Sequence, residues 1–209
     1  LNVERYSRVI VFLIIFCLIA TWEMTSPKSK LTQSKIIRWT NNLLLTGLNT
    51  TLVGYLLFMS SVGVAWLVES KKMGLFSYLH LPTIVEIILG IILLDFIIYL
   101  QHVVFHKIQF LWRIHRTHHA DLDYDITTAL RFHPIEILLS MLIKFTFILI
   151  LGISPLTILL FEMILNGMAM FNHGNINLPV KLDRFLRIFI VTPDMHRIHH
   201  SINNDELNS

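Results

Sequence analysis

Five long apolar segments constrain the fold of this chain more than any other feature of its sequence. They cover residues 8–22, 43–67, 84–105, 135–151 and 154–171, and several approach the roughly 20 residues that a helix needs to cross a bilayer. Only 15% of the residues are charged and the mean hydropathy is +0.63, outside the range of an ordinary soluble domain. We therefore predict an all-α, integral membrane bundle of about four to five hydrophobic helices.

Histidines cluster in the second half of the chain. Eight of them form one pair spaced by four residues and two triplets of the form His-x-x-His-His. The three clusters are His102 and His106; His115, His118 and His119; and His196, His199 and His200. Residues three and four apart share one face of a helix, so each triplet is predicted to aim three imidazoles at a common point. Eight imidazoles exceed what one ion can accept, which predicts two metal ions.

The distribution of Lys and Arg predicts the orientation of the bundle. If the apolar segments cross alternately, residues 23–42, 106–134 and 172–209 share one side and carry twelve basic residues, whereas the other side carries four. By the positive-inside rule, the side with twelve is cytoplasmic. All three histidine clusters lie on that side. The sequence therefore predicts a histidine-rich helical cap, with its metal site on the cytoplasmic face of the membrane.

Three residues outside the clusters are further candidates for the site. Asp95 lies on the helical stripe of His102 and His106, where a carboxylate bonded to an imidazole N–H would orient a ligand without binding metal. His173 follows the fifth apolar segment and returns to the side of the clusters, so we predict it to be a ninth ligand. His133 precedes a proline that disfavours helix at that position, and it either orients a ligand or faces the substrate.

Missing motifs narrow the possible activities. The chain has no His-Glu-x-x-His, no glycine-rich phosphate loop and no dinucleotide fingerprint, so any electrons must come from a partner. Its aromatic and basic residues do not interleave as on a nucleic-acid surface. One alternative is a zinc-dependent lipid hydrolase, for which Asp121, Asp123 and Asp125 are the candidate bases. The other is a metal transporter or store, whose ligands would line a path at mid-bilayer.

The order of the three clusters resembles the sterol desaturase and fatty acid hydroxylase superfamily. The resemblance covers about residues 84–201 and includes Asp95 and Tyr99, Arg-Phe-His-Pro at 131–134, Asn-His-Gly-Asn-Ile at 172–176, and Thr192-Pro193 before the last triplet. It implies a di-iron membrane enzyme that activates O2 and hydroxylates or desaturates a lipid such as a fatty acyl chain, a sterol or an alkylglycerol. A redox partner protein would supply the electrons.

The same resemblance divides the chain and bears on its metal. It assigns residues 1–80 to N-terminal membrane segments and residues 81–209 to a catalytic region. Family members continue past the last triplet with an aromatic stretch, which implies that a C-terminal segment is missing here. An all-imidazole shell can hold two iron ions and leave positions open for O2. Zinc can replace iron in a purified protein, but it cannot oxidise an unactivated C–H bond.

Overall fold

The computed structural model describes residues 2–201, which form helices and connecting turns. The helices are α1 Asn2–Thr25, α2 Lys35–Leu56, α3 Ser61–Ser70, α4 Leu75–Leu79, α5 Thr83–Lys107, α6 Gln109–His119, a 3-10 helix Ile126–Leu130, α7 Pro134–Leu151, α8 Pro155–Asn172, α9 Val180–Leu186 and α10 Pro193–His199. Within residues 2–201 no strand occurs, and one antiparallel bridge joins Pro27 to Ile176. The predicted all-α class is confirmed.

Five helical stretches of the described chain are long and apolar enough to cross a membrane. They are Tyr6–Thr25, Lys35–Leu79, Thr83–Lys107, Pro134–Leu151 and Pro155–Asn172. Large apolar side chains on their outward faces are exposed, including Leu18, Ile92 and Leu142. Apolar side chains facing outward suit a bilayer, and helices satisfy their backbone hydrogen bonds internally, as a span must. The fold is that of an integral membrane helical bundle, as predicted.

The second apolar segment, residues 43–67, is not one helix. The chain leaves α2 after Leu56 and begins α3 at Ser61. The Ser60 hydroxyl accepts a hydrogen bond from the backbone N–H of Gly63 at 3.1 Å and caps α3. A serine at this position offers the backbone an alternative to a continuous helix, which hydrophobicity alone does not reveal.

Prolines mark the starts of three helices that lead to or from the histidines. Pro134, Pro155 and Pro193 each open a helix, where the N–H that proline lacks would have no intrahelical partner. The Thr192 hydroxyl accepts a hydrogen bond from the backbone N–H of Met195 and caps α10. Thr192 and Pro193 therefore begin α10, as a capping hydroxyl followed by proline favours.

Two glycines allow two turns to come into contact at the end of the bundle opposite the histidine clusters. Gly74 and Gly152 both have positive φ angles, of 84° and 75°. A Cβ atom on Gly74 would lie 2.2 Å from the backbone N of Gly152, so neither turn has room for a side chain there. The contact joins the turn before α4 to the turn between α7 and α8.

Within the described residues, the interior of the bundle has two apolar cores, and an ionic cluster lies between α1, α7 and α8. The larger core joins α3, α5, α7 and α8 around residues such as Leu94, Ile148 and Phe161, and the smaller one surrounds Ile126. Between the helices, Lys144 Nζ lies 2.9 Å from Glu162 Oε1, and Arg8 contacts the other oxygen of the same carboxylate. A carboxylate inside a membrane bundle needs such partners, and this one ties α1, α7 and α8 together.

Candidate metal centre

The nine imidazoles predicted as ligands meet at one end of the bundle. The last turns of α5 carry His102 and His106, α6 carries the first triplet, His173 follows α8, and α10 with the next residue carries the second triplet. Helix ends from distant parts of the sequence therefore supply the side chains. Because the ends of α5 and α8 are also the ends of spans, the cluster lies at one face of the bundle.

Eight of the imidazoles form two groups of four. The first histidine group is His102, His106, His119 and His199, and the second histidine group is His118, His173, His196 and His200. Within each group, one ring nitrogen of every residue lies within 4.8 Å of the others. The rings of His119 and His200, one from each group, stack with centroids 4.1 Å apart. The two groups are therefore direct neighbours.

The triplets are divided between the groups, so the prediction that each aims three imidazoles at one point is wrong. His118 belongs to the second group and His119 to the first, while His199 belongs to the first and His200 to the second. Adjacent residues of a helix point about 100° apart, and that angle sends them to different centres. A spacing of four does keep side chains together, as His196 and His200 show.

Backbone carbonyls fix the protonation of two rings in the second histidine group. His173 Nδ1 lies 2.7 Å from the carbonyl oxygen of Ala169, and His118 Nδ1 lies 3.2 Å from that of Arg131. A carbonyl only accepts, so each Nδ1 carries the hydrogen and each Nε2 of the neutral ring carries a lone pair. These two Nε2 atoms are 3.0 Å apart. Two lone pairs facing each other at this distance repel, and a metal ion bound by both removes the conflict.

Burial keeps these histidines neutral at physiological pH. Burial and then the neighbouring imidazoles lower the pKa of His118, His119, His196 and His200. Burial also lowers the pKa of His173 to about 4, although its hydrogen bond to a backbone carbonyl opposes the change. Neutral imidazole is the form that binds metal, so the donor set fits metal ions.

His115 lies beside the first histidine group and is held by a carboxylate. Its Nδ1 is 2.7 Å from Oε1 of Glu136, and both residues are buried. Its Nε2 is buried and has no hydrogen-bond partner among residues 2–201. Its ring centroid lies 4.7 Å from that of His102 and 4.9 Å from that of His106. Sequence analysis did not select Glu136, although it is the one acidic residue of α7.

Asp95 and His133 are not brought to the imidazoles. Asp95 lies on an exposed face of α5, and none of the hydrogen bonds found among residues 2–201 joins it to a histidine. It precedes His102 by seven residues, which is about 10 Å along a helix and beyond the reach of a carboxylate. His133 instead caps α7, because its Nδ1 accepts a hydrogen bond from the backbone N–H of Ile135 at 3.2 Å.

The aspartates after the first triplet hold the chain in place. Arg38 donates to both oxygens of Asp121 at 2.8 Å and to Asp125 at 2.6 Å. Although burial opposes it, Arg38 lowers the pKa of Asp121 below its usual range. Asp123 accepts hydrogen bonds from the backbone N–H groups of Thr32 and Gln33. All three carboxylates are therefore engaged in binding the 121–125 stretch to the N-terminal part of the chain.

A second set of contacts extends from α2 to the histidines. Arg131 donates to the side chain of Asn42 at 2.9 Å and to the carbonyl of Thr117 at 2.9 Å. The carbonyl of Arg131 is the one that faces His118 Nδ1. Phe132 stacks on a face of the His118 ring, with centroids 4.5 Å apart. Helix α2 thus helps to orient a residue of the second histidine group.

An open cavity of about 510 Å³ reaches both histidine groups. Its lining residues are Trp112, Arg116, Thr117, His119, Ala120, Arg131, His200 and Ser201. His119 belongs to the first group and His200 to the second, so a molecule in this cavity touches both. The Trp112 ring forms an aromatic wall, with its centroid 5.4 Å from that of His119 and 5.0 Å from that of His106.

Comparisons with known proteins agree with this site. A family model described as fatty acid hydroxylase matches residues 87–208. The chain is 27% identical over 121 residues to the ornithine lipid hydroxylase OlsE of Rhizobium tropici, covering 57% of this chain and 35% of the relative. It is 28% identical over 114 residues to the alkylglycerol monooxygenase of Homo sapiens, covering 52% of this chain and 23% of the relative.

The chain aligns with only part of the length of each relative. The alignments span about a third of the first relative and about a quarter of the second. No solved structure matches the chain. The family model nevertheless covers more than half of the 209 residues and includes all three histidine clusters. On this evidence from the sequence, the chain belongs to the fatty acid hydroxylase family.

Proposed function

We propose that this chain is the catalytic region of a membrane monooxygenase that hydroxylates a lipid with two bound iron ions. The observation that carries the proposal is the pair of adjacent four-histidine groups, in one of which two lone pairs face each other. Two relatives named as a lipid hydroxylase and an alkylglycerol monooxygenase support a lipid as the substrate. The acyl chain, the sterol and the alkylglycerol remain the candidate substrate classes.

The residues that would hold the ions follow from the two groups. His102, His106, His119 and His199 would hold one ion, with His115 as a further ligand from its unpartnered Nε2. The second histidine group would hold the other ion. Bound iron would supply the redox chemistry that activates O2 for attack on an unactivated C–H bond, which zinc has no redox states to supply.

Protein groups behind the ligands keep the imidazoles in place. Glu136 accepts the Nδ1 hydrogen of His115, and the carbonyls of Arg131 and Ala169 accept those of His118 and His173. Each contact selects the tautomer in which Nε2 is free to bind metal. Such contacts commonly change metal affinity or activity by about 10–100-fold when they are removed.

The cavity beside the two groups is the place where we expect the reacting part of the lipid to bind. Trp112 offers an apolar wall to a hydrocarbon chain, and His119 and His200 form the inner side. A carbon held there lies next to both groups. Arg116 and Arg131 line the same cavity and would meet the polar end of the lipid or water.

We also propose that the histidine groups face the cytoplasm and receive electrons from a redox partner protein. The orientation rests on the excess of Lys and Arg on that side of the spans. The proposal of a partner rests on residues 1–209, which contain no dinucleotide fingerprint. A protease-accessible tag inserted after Lys71, on the opposite side, should be cleaved from outside the cell. A tag after Ser201 should be protected.

The contacts in the structure do not favour either alternative function, the zinc-dependent lipid hydrolase or the metal transporter. Hydrolysis by zinc needs a carboxylate base at the metal, whereas Asp121, Asp123 and Asp125 are all engaged in other hydrogen bonds. Transport would place ligands along a path through the bilayer. In this structure the imidazoles collect at the ends of α5 and α8 instead.

Mass spectrometry of lipids from cells grown under 18O2 tests the proposal. Cells expressing the full-length protein should contain a lipid that has gained one labelled oxygen. The variant His118→Ala should abolish the product, whereas His80→Asn is the matched control, because His80 is exposed at the other end of α5. A lipid that has lost two hydrogens would indicate desaturation. Oxygen derived from water, or turnover without O2, would favour hydrolysis.

A further inference from the structure

The 180–191 segment, which comprises α9 and the turn after it, exposes a large apolar surface next to the histidine groups. The exposed fractions are 65% for Val180, 59% for Phe185, 71% for Ile188 and 71% for Phe189. Leu182 and Val191 add to the same surface. Phe185 and Phe189 are in contact, with ring centroids 5.6 Å apart. Large exposed apolar patches are rare on a protein surface that faces only water, and they commonly mark binding surfaces.

The charges of the 180–191 segment indicate what it binds. Lys181, Arg184 and Arg187 are exposed, whereas the one acidic residue, Asp183, is buried and paired with Arg187 at 2.6 Å. Three basic residues and one acidic residue leave the segment with a net charge of +2. Basic residues beside exposed apolar ones are typical of helices that lie in the headgroup region of an anionic bilayer.

The position of the 180–191 segment fits the same partner. It begins eight residues after Asn172, where the span formed by α8 ends, and it leads directly into α10. The end of a span lies at the level of the lipid headgroups. The short connection from α8 therefore holds the exposed apolar side chains within reach of the bilayer surface.

We infer that the 180–191 segment docks onto an anionic leaflet, with its apolar side chains in the interface and Lys181 and Arg184 on lipid headgroups. Docking would set the height of the second triplet above the bilayer, because the segment ends at Val191, directly before Thr192, which caps α10. This inference does not depend on which reaction the histidine groups carry out.

Fluorescence quenching in nanodiscs that hold one chain each tests this inference. The native Cys17 is replaced by serine, and an environment-sensitive dye is attached to Phe185→Cys or Phe189→Cys in the full chain. Quenching by a nitroxide near the lipid headgroup is compared with quenching by iodide in the water. Leu18→Cys, on an exposed face of α1, serves as the membrane control, and Lys71→Cys, in an exposed turn at the other end of the bundle, serves as the water control.

We expect strong quenching by the lipid nitroxide and weak quenching by iodide at both positions. In discs with phosphatidylglycerol, Lys181→Gln and Arg184→Gln should each weaken docking roughly fivefold, and neutral phosphatidylcholine discs should remove this difference. Circular dichroism verifies that the variants keep their helices. Iodide quenching equal to that of Lys71→Cys would overturn the inference. Protection from both quenchers would also overturn it, because protein would then cover the segment.

Discussion

The Nδ1 atom of His115 lies 2.7 Å from Oε1 of Glu136, and both side chains are buried. A carboxylate that accepts the Nδ1 hydrogen leaves Nε2 as the lone-pair atom and holds the ring in one orientation. Glu136 therefore has the role that the sequence suggested for Asp95.

Replacing Glu136 should weaken metal binding without removing a ligand. Glu136→Ala should lower metal content or turnover about 10–100-fold, as is typical when a ligand loses its hydrogen-bond partner. Glu136→Gln should lose less, because its amide oxygen can still accept the hydrogen. Elemental analysis and turnover measure both effects. Asp95→Asn is the matched control and should behave like the wild type, since Asp95 is exposed. If Asp95→Asn lost as much metal or turnover as Glu136→Ala, Asp95 would have to be part of the site.

Neighbouring histidines should control different metal ions. His118→Ala and His119→Ala should each lower the metal content from about two ions per chain to about one, because the residues belong to different groups. The double variant should hold almost none. In contrast, His118→Ala combined with His173→Ala removes two ligands from the same group and should still hold about one ion. Equal loss in the two double variants at saturating metal would contradict the assignment of His118 and His119 to different groups.

Metal-free protein should lose stability as the pH falls from about 6.5 to about 4. His173 has an ordinary pKa of 6.5, which burial lowers to about 4 in the folded protein. Between these values the unfolded chain binds more protons than the folded one, so the free energy of unfolding decreases as the pH is lowered. The titration of His173 alone should lower the free energy of unfolding by on the order of 3 kcal/mol across this pH range.

Denaturant titration in detergent at several pH values measures this dependence. The variant His173→Asn should show a shallower decrease than the wild type, because one of the buried imidazoles is gone. Metal-loaded wild type should keep its stability to lower pH, since bound metal competes with protons for the ligand nitrogens. A flat profile for the metal-free wild type would contradict the assigned neutral state of His173.

The ionic cluster inside the bundle should be essential for stability. Lys144→Met removes one of the two ionic partners of Glu162. The cost should be less than the roughly 3–5 kcal/mol of an uncompensated buried charge, because Arg8 still pairs with the carboxylate. Thermal unfolding in nanodiscs should show a clear decrease for this variant. Lys71→Met, in an exposed turn, provides the control and should unfold like the wild type.

Much of the fold could be predicted from local sequence patterns. The apolar segments that became α1, α5, α7 and α8 have the length of a span, and Thr192 with Pro193 is a pair typical of a helix start, where α10 begins. The break before Ser61 could not be predicted from hydrophobicity, because residues on both sides of it are apolar. A single capping hydroxyl decides it.

The site was predictable in its residues but not in its arrangement. Spacing placed the three clusters and His173 on helix ends, yet it could not assign His118 and His119 to separate groups. That assignment depends on how α6 is rotated against α5 and α10, which is a property of tertiary packing. Glu136 lies 21 residues from His115 in the sequence, so no local pattern links the two.

Each triplet supplies ligands to both histidine groups, so the orientation of one helix affects both metal centres. Helix α6 supplies His118 to one group and His119 to the other, and α10 together with His200 does the same at its own end. A rotation of either helix about its axis therefore moves ligands of both centres at once and in different directions. We expect the centres to share a single optimum of helix orientation, at which filling one ion prepares the other site. Uptake of iron by the metal-free protein should then be cooperative, with few chains holding only one ion at half saturation.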